Sequence, residues 1–296
     1  MKVVCLSALL VAVFSLSFSS ELWTKKETIK LVLNRGTHYV YATTLENKLD
    51  QKDNPEGNVE QIMTLTIDHH VIDRLNNGNY LIETSYKSFS LIMKTNRKVL
   101  TYHSDTIDVM NPFYKQLKFL TTLKLSYEVS PEGVVRNLKG FENMKKYTDE
   151  DDKIASLLRS FGSERFITEM YNYIPAQPVQ LNETWKAQAV LPDLMDLKYD
   201  VNYSLKETSA KSLKLGLESE FEMVPAEQST PSGKYKIEES GSQNGELLID
   251  PSSGMRLSSV MDQLITINVF IENPKPDEKK TVPMKIISRA RSVLLK

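Results

Sequence analysis

Along most of the chain, apolar and polar residues alternate with a period of two, the pattern of strands that bury one face and wet the other. Met63, Leu65, Ile67, His69 and Val71 fall on one side of such a strand, and Thr64, Thr66, Asp68 and His70 on the other. The strand runs toward Asn76-Asn77-Gly78, a hairpin signal because Asn and Gly tolerate left-handed turn positions. The return strand carries Tyr80, Ile82, Thr84 and Tyr86 on one face. Phe89, Leu91 and Met93 continue in the opposite phase, which predicts a bulge or a new strand near Ser88. Upstream, residues 29–33 and Tyr39-Val40-Tyr41 read as two strands joined by a turn at Asn34-Arg35-Gly36, followed by a polar loop over 47–58. Downstream, residues 113–120 predict one or two helical turns, residues 123–129 a strand, and Ser130-Pro131-Glu132-Gly133 a turn. From Val179 the alternation resumes with Tyr199, Val201, Tyr203 and Leu205, then Leu213, Leu215 and Leu217, and a further strand precedes the turn at 250–254.

Between these regions the period changes. Ile154, Leu157, Leu158 and Phe161 recur at helical spacing, and Phe166, Ile167, Met170, Tyr171 and Ile174 do so again. Gly162-Ser163 reads as a C-cap glycine followed by an N-cap serine, so two short helices are expected, ended by Pro175 and Pro178. The expected fold is therefore α+β and β-rich: antiparallel curved sheets in two similar units, residues 21–147 and 177–296, joined by a helical connector over 148–176. The halves echo each other in strand and turn order, but any meander of hairpins repeats such features, and a true repeat stays open.

The N-terminus departs from this pattern. Lys2 precedes a largely apolar run from Val3 to Phe18 that gives way to small and then charged residues, the layout of a secretory signal peptide over residues 1–20. The run falls short of the roughly 20 apolar residues of a spanning helix, so no transmembrane helix is expected in the mature chain. The single cysteine, Cys5, lies within this segment and too early for a lipid anchor. A mature chain without cysteine makes no disulfide, as is common among bacterial periplasmic and surface proteins.

Composition narrows the partners. The 296 residues carry 37 Lys plus Arg against 38 Asp plus Glu, so no basic field draws nucleic acid. No catalytic motif, phosphate loop or cofactor motif occurs. His69-His70, flanked by Asp68 and Asp73, is the densest candidate metal cluster, yet neighbouring strand residues point to opposite faces. His38 and His103 are isolated in sequence. The acidic run at 149–152 suits a helix N-terminus better than a calcium loop. Trp185, Tyr199 and Tyr203 read as sheet-packing groups rather than a sugar platform. No catalytic, cofactor-binding or metal residue is assigned, and no ligand-binding residue is named.

Three stretches carry a resemblance: Asn34-Arg35-Gly36-x-x-Tyr39-x-Tyr41, Ser130-Pro131-Glu132-Gly133-Val134-Val135, and Pro175-x-x-Pro178-Val179-x-x-Asn182-Glu183-x-Trp185. In their order they resemble a domain-of-unknown-function family of exported, often lipid-anchored bacterial proteins. Similar members show Lys-Gly before the first Tyr-x-Tyr strand and Gly-Asp where this chain has Asn182-Glu183. The resemblance implies a fold and export, and brings no activity or cofactor.

Two functions are expected from this reading. One is a non-catalytic binding or carrier module for an apolar small molecule in the cell envelope. The other is a structural or protein-interaction component of the envelope or surface, and a hydrolase ranks third. Oligomeric state and the extracytoplasmic compartment are not set by the sequence.

Overall fold

A computed structural model describes residues 25–107, 114–140, 142, 164–191, 197–223, 225–230, 233–271 and 281–295. The first half supplies β1 (His38–Asp50), β2 (Val59–Arg74), β3 (Tyr80–Thr95), β4 (Val99–His103), α1 (Tyr114–Leu120), β5 (Lys124–Val129) and β6 (Val135–Lys139). After α2 (Glu164–Glu169) come β7 (Thr184–Leu191), β8 (Leu197–Thr208), β9 (Leu213–Glu222), β10 (Ala226–Thr230), β11 (Gly233–Ile249), β12 (Arg256–Ile271) and β13 (Thr281–Leu295). The proposed signal peptide, the helix expected around Ile154 and the acidic run lie outside the described residues.

All these strands belong to one antiparallel sheet. Its order is β6-β5-β3-β2-β1-β13-β12-β11-β9-β8-β7, with β4 on β3 and β10 on β11. This corrects the expected α+β fold of two sheets joined by a helical pair. Strands from both halves meet where β1 pairs with β13 from Val40↔Leu295 to Asp50↔Lys285. The physical reason is that a period of two reports that a strand is half-buried and says nothing of which distant strand satisfies its second edge.

The sheet cannot lie flat. Strands β5 and β7 stand nine steps apart along its path, about 43 Å if it were planar. Yet the Tyr171 hydroxyl lies 2.9 Å from the Tyr127 hydroxyl on β5, and the Tyr173 carbonyl accepts the Trp185 indole N–H on β7 at 3.2 Å. Two backbone steps and their side chains fall short of that width, so the sheet curls until residues 171–173 bridge its two ends. One apolar core consequently unites strands from both ends, with Leu125, Tyr127, Leu205 and Leu215 all fully buried.

The inner face is closed by extended chain as well as by α2. Residues 29–33, expected as a strand, are not paired in the sheet. They cross the core instead, burying Ile29, Leu31 and Leu33. Their amides reach single acceptors: Leu31 N–H donates to the Pro131 carbonyl at 2.7 Å and Val32 N–H to the Ser253 carbonyl at 2.9 Å. Gly254 sits against this strap with φ +71°, and a Cβ there would run into the Lys30 carbonyl. The Tyr173 hydroxyl donates to the Gly254 carbonyl at 2.7 Å, tying the strap, the turn after β11 and the segment following α2 into one layer.

The bulge expected near Ser88 is present. Thr66 pairs with Ser88 but Ile67 pairs with Tyr86, leaving Lys87 as the extra residue that returns Phe89 and Leu91 to the core.

Candidate functional site

Where β1, β2, β12 and β13 adjoin under α2, the inner face is not completely filled. A half-open cavity of about 220 Å³ remains there. Its walls include Tyr41, Leu45, Ile67 and Met261 from the sheet, and Phe166 and Met170 form its roof. The opposing positions on β1 and β13 explain the space. Leu45 faces Ala290 and Thr43 faces Ser292, small partners where larger residues would fill the layer. Thr43 and Ser292 hydrogen-bond each other at 2.9 Å, so these inward hydroxyls are satisfied without a ligand.

His69 lines this cavity and is completely buried. Its Nδ1 lies 2.6 Å from Thr84 Oγ1 on the neighbouring strand. Thr84 donates its one hydroxyl proton to Tyr127 at 3.2 Å. Nε2, the ring nitrogen farther from the backbone, is buried with no hydrogen-bond partner. Burial, reinforced by the positive charge of Arg256, pushes the imidazole down to about 3, so it is neutral at ordinary pH. Burial likewise raises Tyr127 to about 12 and Tyr171 well above its ordinary value.

Arg256 brings the cavity its distinctive charge. The Tyr41 hydroxyl donates to its carbonyl at 2.8 Å, and its guanidinium lies 5.6 Å from the centre of the Tyr41 ring. Its Nε is buried without a hydrogen-bond partner, and no carboxylate pairs with it among the described residues. The other charges at the cavity are engaged. Glu169 pairs with Arg165 at 2.7 Å, and Arg291 sends its side chain to the outer face, where it meets Glu46 at 3.6 Å.

The sequence candidates sort cleanly by face. His70 points outward and stacks on His38 with ring centres 4.0 Å apart, while His38 Nδ1 contacts Asp68 at 3.0 Å. Lys87, the bulge residue, pairs with the same Asp68 at 3.0 Å. His69 and His70 are thus separated by the sheet, and no group of three or more metal-ligating side chains is assembled among the described residues. His103 is exposed, 3.8 Å from Asp105. Trp185 stacks on Tyr203 at 5.9 Å and Tyr199 packs on Phe221 at 5.0 Å, so these aromatics serve the core. Arg256 was not singled out by sequence, and a bulge is the reason. Leu248 pairs with Ser258 but Ile249 with Arg256. Simple alternation puts Arg256 on the same face as Ser258 and the exposed Val260. The extra residue turns it inward beside Ser259.

With this geometry in view, residues 77–256 match a family of unknown function, DUF6263. The chain belongs to that family. The matched span opens at the β2–β3 turn and ends at Arg256. No curated protein matches. Among solved structures, this DUF6263 chain is similar to the beta domain of the Bordetella autotransporter BrkA at 6% identity and a TM-score of 0.23, covering 87% of this chain and 99% of that one. Pseudomonas aeruginosa OpdQ is similar at 6% identity and a TM-score of 0.24, covering 89% and 99%. Scores this low carry no argument about fold, location or function.

The polarity of the two faces is informative by itself. A membrane barrel turns apolar residues outward and polar ones inward. Here Met63, Leu65 and Ile67 face in, while Lys285, Arg289 and Arg291 are exposed on the outer face of β13. No helix among the described residues is long and apolar enough to cross a membrane.

Proposed function

We propose that this chain is an exported, non-catalytic binding or carrier module that holds an apolar ligand inside its curled sheet, in an extracytoplasmic compartment of the cell envelope. The observation that carries this reading is the cavity of about 220 Å³ left between an apolar inner face and the roof of Phe166 and Met170. A residual space among Leu, Ile, Met and Phe side chains costs stability unless something occupies it, and each methylene buried there gains about 0.8 kcal/mol. The space is smaller than the roughly 300–1,000 Å³ of pockets that enclose a drug-sized molecule. It suits one end of a chain-like ligand whose remainder leaves by the open side. The neutral state of His69 supports a binding role, because an imidazole held down at about 3 is too weak a base for proton abstraction near neutrality.

Nile red, a neutral apolar dye, should become fluorescent on the native protein and be displaced by lipid extract. Native mass spectrometry of protein purified from its own envelope should show a retained small molecule. A folded sample that binds neither dye nor lipid sinks the carrier reading.

A second reading has its own observation. Ile62 and Ile92 pair across strands on the outer face, as do Leu264 and Ile287, and all four are more than a third exposed. A surface of this kind suits a protein partner. The carrier reading is preferred because these residues are interleaved with Glu46, Lys48 and Arg289 rather than gathered in one apolar patch.

A further inference from the structure

The proposed cavity has one charge too many. Its walls are apolar and its hydroxyls Thr43 and Ser292 satisfy each other, yet Arg256 enters it with a buried, unpartnered Nε and no carboxylate among the described residues. The Arg256 side chain is only partly buried, but its Nε is shut off from water with no hydrogen-bond partner, which is costly for part of a charged group, and the Tyr41 ring 5.6 Å away compensates only part of that. The one carboxylate lining the cavity among the described residues, Glu169, does not supply the remainder, since it is held by Arg165. A positive group in the wall of a largely apolar cavity is the arrangement that selects an amphiphile by its head.

On the carrier reading, on which this inference rests, we infer that the ligand is a single-chain fatty carboxylate whose head pairs with the Arg256 guanidinium while its first methylenes lie among Tyr41, Leu45, Ile67 and Met170. A carboxylate matches one guanidinium fork with two parallel hydrogen bonds. A phosphate monoester or diester head calls for further donors, and the cavity of about 220 Å³ offers one unpaired cation among the described residues. The bulge between Leu248 and Ile249 is then the feature that builds the site, because it turns Arg256 from the outer face to the inner one.

The test compares laurate with its methyl ester, which keeps the chain and removes the charge. Each is titrated against protein loaded with Nile red, for wild type, Arg256→Gln and Arg256→Lys. Laurate should displace the dye at least tenfold more tightly than methyl laurate from wild type. In Arg256→Gln that preference should fall to near unity with methyl laurate affinity unchanged, and Arg256→Lys should retain part of it. A lauryl phosphate arm distinguishes the head, and should bind more weakly than laurate. Equal binding of laurate and ester by wild type, a preference untouched by Arg256→Gln, or stronger binding of the phosphate overturns the carboxylate assignment while leaving an apolar carrier in place. Failure of every probe, Nile red included, removes both readings together. If Arg256→Gln does not fold by near-UV circular dichroism, the wild-type ratio and Arg256→Lys decide.

Discussion

The Tyr41 hydroxyl donates to the main-chain carbonyl of Arg256 at 2.8 Å while the guanidinium of the same arginine lies 5.6 Å from the Tyr41 ring centre. One phenol thus holds both the backbone and the charge of the residue on which the cavity's selectivity depends. Tyr41 is 2% exposed, so removing its hydroxyl leaves the Arg256 carbonyl without this donor. Tyr41→Phe should cost about 1–2 kcal/mol, measured by urea denaturation, and should weaken laurate binding more than methyl laurate binding.

His69 makes stability depend on pH with a definite sign. Its folded-state value is depressed to about 3 from an ordinary 6.5, so the unfolded chain binds a proton that the native protein refuses. The stabilisation is complete above pH 6.5 and is lost as the pH falls toward 3, at about 1.4 kcal/mol per unit for one group. Asp68, whose carboxyl is held below the usual range by His38 and Lys87 against the opposing pull of its burial, adds loss only at the acidic end. Urea midpoints between pH 7 and 4 should therefore fall for wild type and change less steeply for His69→Gln. Parallel curves for the two proteins would contradict the assignment of the slope to His69.

Gly254 combines a left-handed φ of +71° with a close approach to the Lys30 carbonyl. A methyl group there meets backbone, which yields less easily than a side chain. Gly254→Ala should destabilise the protein by about 2–4 kcal/mol and, because the strap and Tyr173 share this turn, should expose Trp185 to quenching by acrylamide.

Filling the cavity should separate binding from folding. Ala290 lines it opposite Leu45. Ala290→Leu should reduce Nile red binding at least tenfold, while stability changes by no more than about 1–2 kcal/mol. Unchanged dye affinity with a retained fold would place the dye elsewhere.

Much of the local architecture was legible in the chain, and each miss has an identifiable cause. The phase change after Tyr86 announced the bulge at Lys87 because three apolar residues marked the new face. The bulge that turns Arg256 inward carried no such mark, since Ser258, Ser259 and Val260 give no contrast of faces on which to see a slip. Residues 29–33 alternate in burial as a strand does, but a segment crossing a core through single hydrogen bonds produces the same alternation without sheet partners. The cavity was invisible for a different reason. It depends on Ala290 standing opposite Leu45, a pairing between strands remote in sequence.

That remote pairing also governs how the protein reaches its shape. Thr43 and Ser292, 249 positions apart, share a hydrogen bond in the middle of the sheet. Local hairpins such as β2–β3 and β11–β12 can zip as soon as both strands exist, but the seam between β1 and β13 waits for nearly the whole described chain. Until then β1 and β13 each present an open edge able to capture any extended segment nearby. A chain of this design commits late, because its central pairing is also the one most distant in sequence. The same delay makes the seam the place where a second copy would most readily exchange strands.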